Sequence, residues 1–372
     1  MIPLRPVIHL LRLLGVEKLR RELGMLVVLI VMGFGLWLSN PDFLSHYNLF
    51  NLVRQISMLG ILAVGITFVI VAGGIDLSIG TFVGLTGIII AKFFESGQPI
   101  WMGIIIAVAV VVGIGVSQGS LITKLGLQPF IVTLGTMLMF RGVSQAIAKG
   151  GSLSLGASTF RNLSETGPFK YADGALVPWV LIIFLIVVAL ATFVLHFTVF
   201  GRYLYAIGGN RAAAEYSGIP VRRVEMITYV IAASLASLAG ICYAAYIGQM
   251  NHGVGIAYEL FAIAAVVLGG VSLRGGEGTI FGVVIGSAIL KLIENGFAVF
   301  QIRYTDADGV RRIWRPDDNW YFIVMGAVIL IAVILDQVVH LIQEKRRTRQ
   351  AGQTPQVPTG FPVVSSESQS TK

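Results

Sequence analysis

Residues 200–223 read FGRYLYAIGGNRAAAEYSGIPVRR, a polar stretch with arginines at Arg202, Arg211, Arg222 and Arg223 between two long apolar runs. It is too short to fold alone as a domain. Its order of residues nevertheless carries a local signal. Asn210 is suited to N-capping, Arg211, Ala212, Ala213, Ala214 and Glu215 favour helix, and Ser217-Gly218 supplies a stop. The pattern predicts a short helix over 210–216, lying at a membrane surface. Two readings are open: an element presented to a partner, or a positively charged inside loop that only sets topology. What flanks the stretch decides the fold class.

Outward from it the chain is apolar almost throughout. Of 372 residues, 55% are hydrophobic and 12% charged, about half the usual charged share of roughly 25%, and mean hydropathy is +0.82. Apolar segments of about the length a bilayer requires fall near 23–38, 52–72, 78–94, 100–121, 129–148, 177–198, 224–247, 258–271, 279–300 and 320–341, the eighth being short. The expected fold is therefore all-α: a polytopic membrane protein of about ten transmembrane helices in a domain from 23 to 344. Residues 1–22 form a basic arm, and Ser39-Asn40-Pro41 offers no small-x-small cleavage site, so an uncleaved first helix is expected.

An even number of spans puts both termini on one side. The N-terminal arm, Lys124, the four loop arginines, Arg274 and the basic tail then share that side, and the bias makes it the cytoplasmic one. The membrane thus explains the net charge of +8 without nucleic acid. The tail 345–372, rich in Ser, Thr, Gln and Pro, is expected to be disordered. The charged insert 301–318 falls outside and reads as a small hairpin or a solvated loop, with D-G at 308–309 and R-P at 315–316 as turn signals. The longest connection, 149–178, shows only a Gly/Ser turn in GGSLSLG.

An internal repeat stands out. Residues 71–84 read VAGGIDLSIGTFVG and residues 267–282 read VLGGVSLRGGEGTIFG, alike in Gly-Gly, a following leucine, a Gly-Thr and a closing glycine, with two extra residues in the second copy. Each copy joins a descending helix to an ascending one, so the repeat is parallel. Gly73-Gly74 and Gly269-Gly270 would let helices unwind and backbones approach around a substrate pathway, since unwound backbone at membrane depth must line a cavity or be buried in protein. The alternative is a pair of tight inner turns. Asp76 follows the first Gly-Gly. A carboxylate at the bilayer centre costs roughly 2.5–3.5 kcal/mol, so Asp76 either faces the pathway or caps the third helix beside Ser78. Glu259 and Glu294 raise the same question, and Lys291, three residues before Glu294, suggests a local pair.

Several chemistries have no machinery here. The single cysteine, Cys242, excludes an intrachain disulfide and a thiolate cluster; no GK dipeptide, HExxH or GxSxG occurs, and the histidines are scattered, with His252 in an outer turn. No catalytic residue, metal site or cofactor is expected in this chain.

NLFNLVRQISMLGILAVGITFVIVAGGIDLSIG (48–80), QPFIVTLGTMLMFRG (128–142), FGRYLYAIGGNRAAAEYSGIP (200–220) and YELFAIAAVVLGGVSLRGGEGTIFG (258–282) together resemble permease subunits of bacterial ABC importers for monosaccharides, the ribose- and xylose-type branch above all. The resemblance covers nearly the whole chain except the N-terminal arm, 301–318 and the tail. It implies a subunit of the bacterial inner membrane that works with a second permease copy or paralogue, two cytoplasmic ATPase subunits that hold the ATP, and a periplasmic or lipid-anchored sugar-binding protein. It also implies that Gly209, Asn210, Ala212, Ala213, Ala214, Glu215, Ser217 and Gly218 belong to a coupling helix that docks into the ATPase. An ion-coupled secondary transporter, which would need a carboxylate relay, and a membrane-embedded enzyme are the alternative classes.

Overall fold

The computed structural model describes residues 16–156, 158–168, 170–171, 174–175, 177–300, 302–305, 311–314, 320, 323–331, 333–334 and 337–338. The basic arm before residue 16, the tail 345–372 and the turn signals at 308–309 and 315–316 lie outside them. The helices run in order α1 (Val16–Ser39), α2 (His46–Val71), α3 (Ile79–Glu95), α4 (Ile100–Leu125), α5 (Pro129–Ile147), α6 (Asn162–Glu165), α7 (Trp179–Phe197), α8 (Val199–Gly209), α9 (Arg211–Tyr216), α10 (Val221–Ile247), α11 (Tyr258–Leu268) and α12 (Ile280–Val299). Their ends follow the sequence. Pro129 occupies the first turn of α5, and left-handed Gly126 and Gly248 close α4 and α10.

Seven of the described helices are long and apolar enough to cross a bilayer: α1 from Glu22, α2, α4, α5, α7, α10 and α12. The architecture is all-α and polytopic. Each of the first nine apolar segments coincides with a helix, and 323–331 are helical within the tenth, part of which lies outside the described residues. Two of the helices that coincide with apolar segments are short for a span, α3 with 17 residues and α11 with 11. In both, non-helical backbone takes over part of the leg. Before α3, residues 74–78 run unwound with Asp76 and Ser78 fully buried. Before α11, the non-helical chain runs back along α3, with Met250 over Gly87, Val254 against Gly84 and Gly255 against Gly80.

The long helix α10 is central, packed on α2, α3 and α4. Small residues permit the approach. Gly115 and Gly119 of α4 lie against Tyr229, Ala233 and Met226 of α10, and Gly240 of α10 lies against Val83 and Thr86 of α3. Lipid supplies no hydrophobic drive between helices, so such backbone proximity is what holds a bundle together in a membrane. By contrast α5 is peripheral, with only Thr133, Thr136 and Ser144 buried.

The described strands are short and lie outside the bundle: β1 (Ser152–Ser154), β2 (Lys170–Tyr171), β3 (Gly174–Ala175), β4 (Gln249–Asn251), β5 (Ile302–Thr305) and β6 (Arg311–Trp314). β5 and β6 pair antiparallel, so the insert 301–318 contains a hairpin. The GGSLSLG stretch holds more than a turn. Its β1 pairs antiparallel with β4, Leu153 opposite Met250, because alternate Leu153 and Leu155 are buried while the serines face out. This two-stranded ribbon pins the 149–178 connection to the end of α10.

Candidate functional site

At one end of the bundle the 200–223 stretch forms two helices at an angle. Thr198 opens α8, its Oγ1 accepting from the Gly201 N–H at 3.3 Å. Asn210 then ends α8 and starts α9, its Oδ1 accepting from the Ala213 N–H at 3.0 Å. Gly218 takes φ of +80°, and the N–H groups of Gly218 and Ile219 bond back to the carbonyls of Glu215 and Ala214 at 3.0 and 3.2 Å, a left-handed helix stop before Pro220. The short helix lies where the sequence pattern puts it. The sequence pattern predicts a helix only over 210–216, whereas the structure adds α8 ahead of it.

The exposed surface of α9 differs from the expected one. Ala214 is buried within the chain at 4% exposure, so the three alanines do not form one docking face. Ala212, Ala213, Glu215, Ser217 and Gly218 face out, with Tyr216 at 93% exposure. A large aromatic ring left this free at the tip of a loop was missed, although an aromatic beside a Ser-Gly stop was legible. Arg211 was also missed. Its guanidinium forks onto the Glu225 carboxylate of α10 at 2.8 and 3.1 Å, which ties α9 to the start of the central helix. Hydrogen bonding to Glu225 raises the Arg211 pKa above its ordinary value, so the guanidinium stays charged at any physiological pH.

Both repeat turns reach the same place. After α2, the N–H groups of Gly73 and Gly74 bond to the carbonyls of Ile70 and Val69 at 2.8 and 2.9 Å; after α11, those of Gly270 and Val271 bond to Val267 and Val266 at 2.8 and 3.1 Å. These are identical helix ends, with Gly73 and Gly270 in the left-handed position at φ of +85° and +81°. The structural register is thus shifted by one from the Gly-Gly alignment: Gly73 matches Gly270, and Gly269 instead packs on Gly282 and Val283 of α12.

The two turns then touch. The Gly276 N–H donates to the Val71 carbonyl at 2.9 Å, Gly275 lies against Gly73 and Gly208, and Gly276 lies against Gly209. A Cβ on Gly208 would collide with the Val71 carbonyl and the Gly276 amide. Tyr205 of α8 adds a bond, its hydroxyl donating to the Gly278 carbonyl at 2.8 Å. The result is a seam of bare backbone where α8 and both turns meet.

Asp76 sits deeper and is fully buried. Its carboxylate accepts from the Ser78 N–H at 2.8 Å, the Ser78 Oγ at 2.5 Å and the Gln118 Nε2 at 2.9 Å, which braces the unwound 74–78 segment to α4. Lys291 and Glu294 form the expected local pair at 2.5 Å. Beside the seam lies a cavity of about 450 Å³, bounded by Gly73, Gly74, Gln128, Arg211, Glu225 and Tyr229 among others. It falls in the size range of small-molecule pockets and opens next to the base of α9.

Residues 48–333 match the family described as branched-chain amino acid transport system / permease component. Among curated proteins, the ribose import permease protein RbsC of Bacillus subtilis (strain 168) is 38% identical over 322 residues, covering 86% of this chain and 93% of that protein. The protein of the same name from Haemophilus influenzae is 35% identical over 311 residues, covering 83% and 91%. The D-allose transport system permease protein AlsC of Escherichia coli (strain K12) is 33% identical over 315 residues, covering 84% and 90%. No solved structure matches the chain.

Proposed function

Since this chain belongs to the family of transport-system permease components, we propose that it is the membrane-spanning subunit of an ATP-driven importer and passes a monosaccharide to the cytoplasm. The sugar class rests on the relatives, which are sugar permeases over most of their length, although the family description names branched-chain amino acids. Ribose, xylose or a related sugar fits best. In this reading both termini are cytoplasmic, the chain sits in the bacterial plasma membrane, and it works beside a second permease copy or paralogue. Two ATP-binding cassette subunits engage α9, and a periplasmic or lipid-anchored binding protein delivers the sugar. The chain itself holds no ATP and carries out no catalysis.

The observation that carries the coupling part is α9 itself. It is capped at both ends, forked to α10 through Arg211 and Glu225, and continuous with a helix seated on both repeat turns. A push on α9 is therefore delivered to Gly73 and Gly275 without an intervening side chain to absorb it. In this reading Gly73 and Gly74 line the pathway, with the adjoining cavity as the exit, and Asp76, Gly269 and Gly270 hold the two turns in place behind it. An ion-coupled carrier would need a carboxylate free to take up and release a proton or cation, whereas the Asp76 oxygens are already engaged by Ser78 and Gln118.

The test is reconstitution. Purified chain alone is expected to hydrolyse no ATP, and D-ribose uptake into vesicles to require the ATPase and the sugar-loaded binding protein. Uptake driven by a proton or sodium gradient with no ATPase present would overturn the proposal.

A further inference from the structure

Besides the local Lys291–Glu294 pair, a charged pair joins α5 to α11 and takes no part in the seam. Arg141 sits two thirds of the way along α5, ~18 Å of helix from its Pro129 end at 1.5 Å per residue. Its Nη2 stands 4.0 Å from Oε1 of Glu259, in the first turn of α11. That separation is too long for a hydrogen bond. The Glu259 side chain is only 8% exposed, and both Arg141 Nη2 and Glu259 Oε2 are buried with no hydrogen-bond partner. Ionisable groups at membrane depth are expensive, and an unmade bond to a charged group adds to that cost.

The surroundings are built to keep the carboxylate where it is. Ala257 takes φ of +64°, a conformation uncommon for a residue with a side chain, to turn the unwound chain into α11. Gly80 has no side chain, and a Cβ there would strike Glu259 Oε2. The pair lies just beneath the surface of the single chain, the Arg141 side chain being 29% exposed. Leu138, one turn before Arg141 on the same face of α5, is 59% exposed, and Ile256 and Leu260, either side of Glu259, are 47% and 49% exposed.

We propose that Arg141 and Glu259 form a hydroxyl-recognition site on the transport path, where a neutral polyol bridges the two side chains. A hydroxyl is suited to this gap because it accepts from a guanidinium N–H and donates to a carboxylate oxygen at once. A sugar offers several in a row and brings no net charge into the membrane. The site deepens the reading of the chain as a monosaccharide permease and rests on it.

The test compares the wild type with Glu259→Gln, Arg141→Lys and the charge swap Arg141→Glu/Glu259→Arg, each reconstituted with the ATPase and binding protein and assayed for D-ribose moved per ATP hydrolysed. Both single variants are expected to lower that ratio at least tenfold, and the charge swap is expected to recover none of it. Arg141→Lys keeps the charge at the less buried partner, so it reports even where Glu259→Gln fails to accumulate. Wild-type ratios in both single variants, or recovery in the charge swap, would reduce the pair to a structural contact and overturn the proposal alone. A wild-type assembly that moves L-leucine and none of D-ribose, D-xylose and D-allose would remove the monosaccharide reading, and the proposal with it.

Discussion

At the scale of single residues, what matters is where a side chain is absent. An added Cβ on Gly74 would lie 2.7 Å from the Tyr229 hydroxyl and 3.0 Å from Cγ1 of Val69. Gly74→Leu is therefore expected to insert normally and transport poorly. Gly74→Ala should lose several-fold, and Tyr229→Phe, which removes the obstructing oxygen, should restore part of that loss. No restoration in vesicle uptake would mean the close approach is incidental. Gly208 makes the opposite prediction, because its neighbours are the Val71 and Gly276 backbones and neither can swing aside. Overpacking of this kind costs about 1–3 kcal/mol. Gly208→Ala should uncouple ATP hydrolysis from uptake by tenfold or more, and substitutions of nearby side chains should not repair it. A Gly208→Ala protein with normal coupling would show that the seam yields.

At the scale of elements, α9 is the piece offered to a partner. Asn210→Ala removes the bond to Ala213 at a cost of about 1 kcal/mol, a large fraction for a helix of six residues. Ala213→Trp should block seating on the ATPase, and Tyr216→Ala should weaken it through loss of an exposed aromatic anchor. Both variants should reach the membrane and engage the binding protein, yet retain roughly a tenth of the ATPase on purification. Full retention in both would leave 200–223 as a topology signal only. This helix was legible in the sequence because cap, helix formers and stop are all local. The break before α3 was half legible, as Gly-Gly followed by a buried aspartate. The run of chain along α3 ahead of α11 was not, because what holds it is distant: Gly80, Gly84 and Gly87 make room for residues some 170 positions later. The one-residue shift between the repeats was hidden for the same reason. Sequence aligns the glycine pairs, but the helix end selects one left-handed position in each. Glu259 stood out in the sequence as a carboxylate in an apolar segment, but its pairing with Arg141 did not, the two being 118 positions apart.

At the scale of the whole molecule, the bundle is asymmetric in a way that bears on how it is made. Non-helical chain follows the turn in both copies, over 74–78 and 271–279, but only in the second is the helix before the turn cut short: α2 has 26 residues and α11 has 11. At 1.5 Å per residue that is about 17 Å, against a hydrocarbon core of roughly 30 Å. Emerging from the ribosome, α11 is too short to be taken up by the membrane as a span in its own right. It must wait for α12 and enter with it as a hairpin, zipped through Gly269, Gly282 and Gly286, whose backbones lie against each other and against Ala265. Gly286→Leu should therefore fail during biogenesis, before any question of transport arises. Pulse-labelled chain is expected to leave the region around 258–268 open to protease while α2, α4 and α10 stay protected. A chain protected throughout would mean that α11 finds its place without its partner.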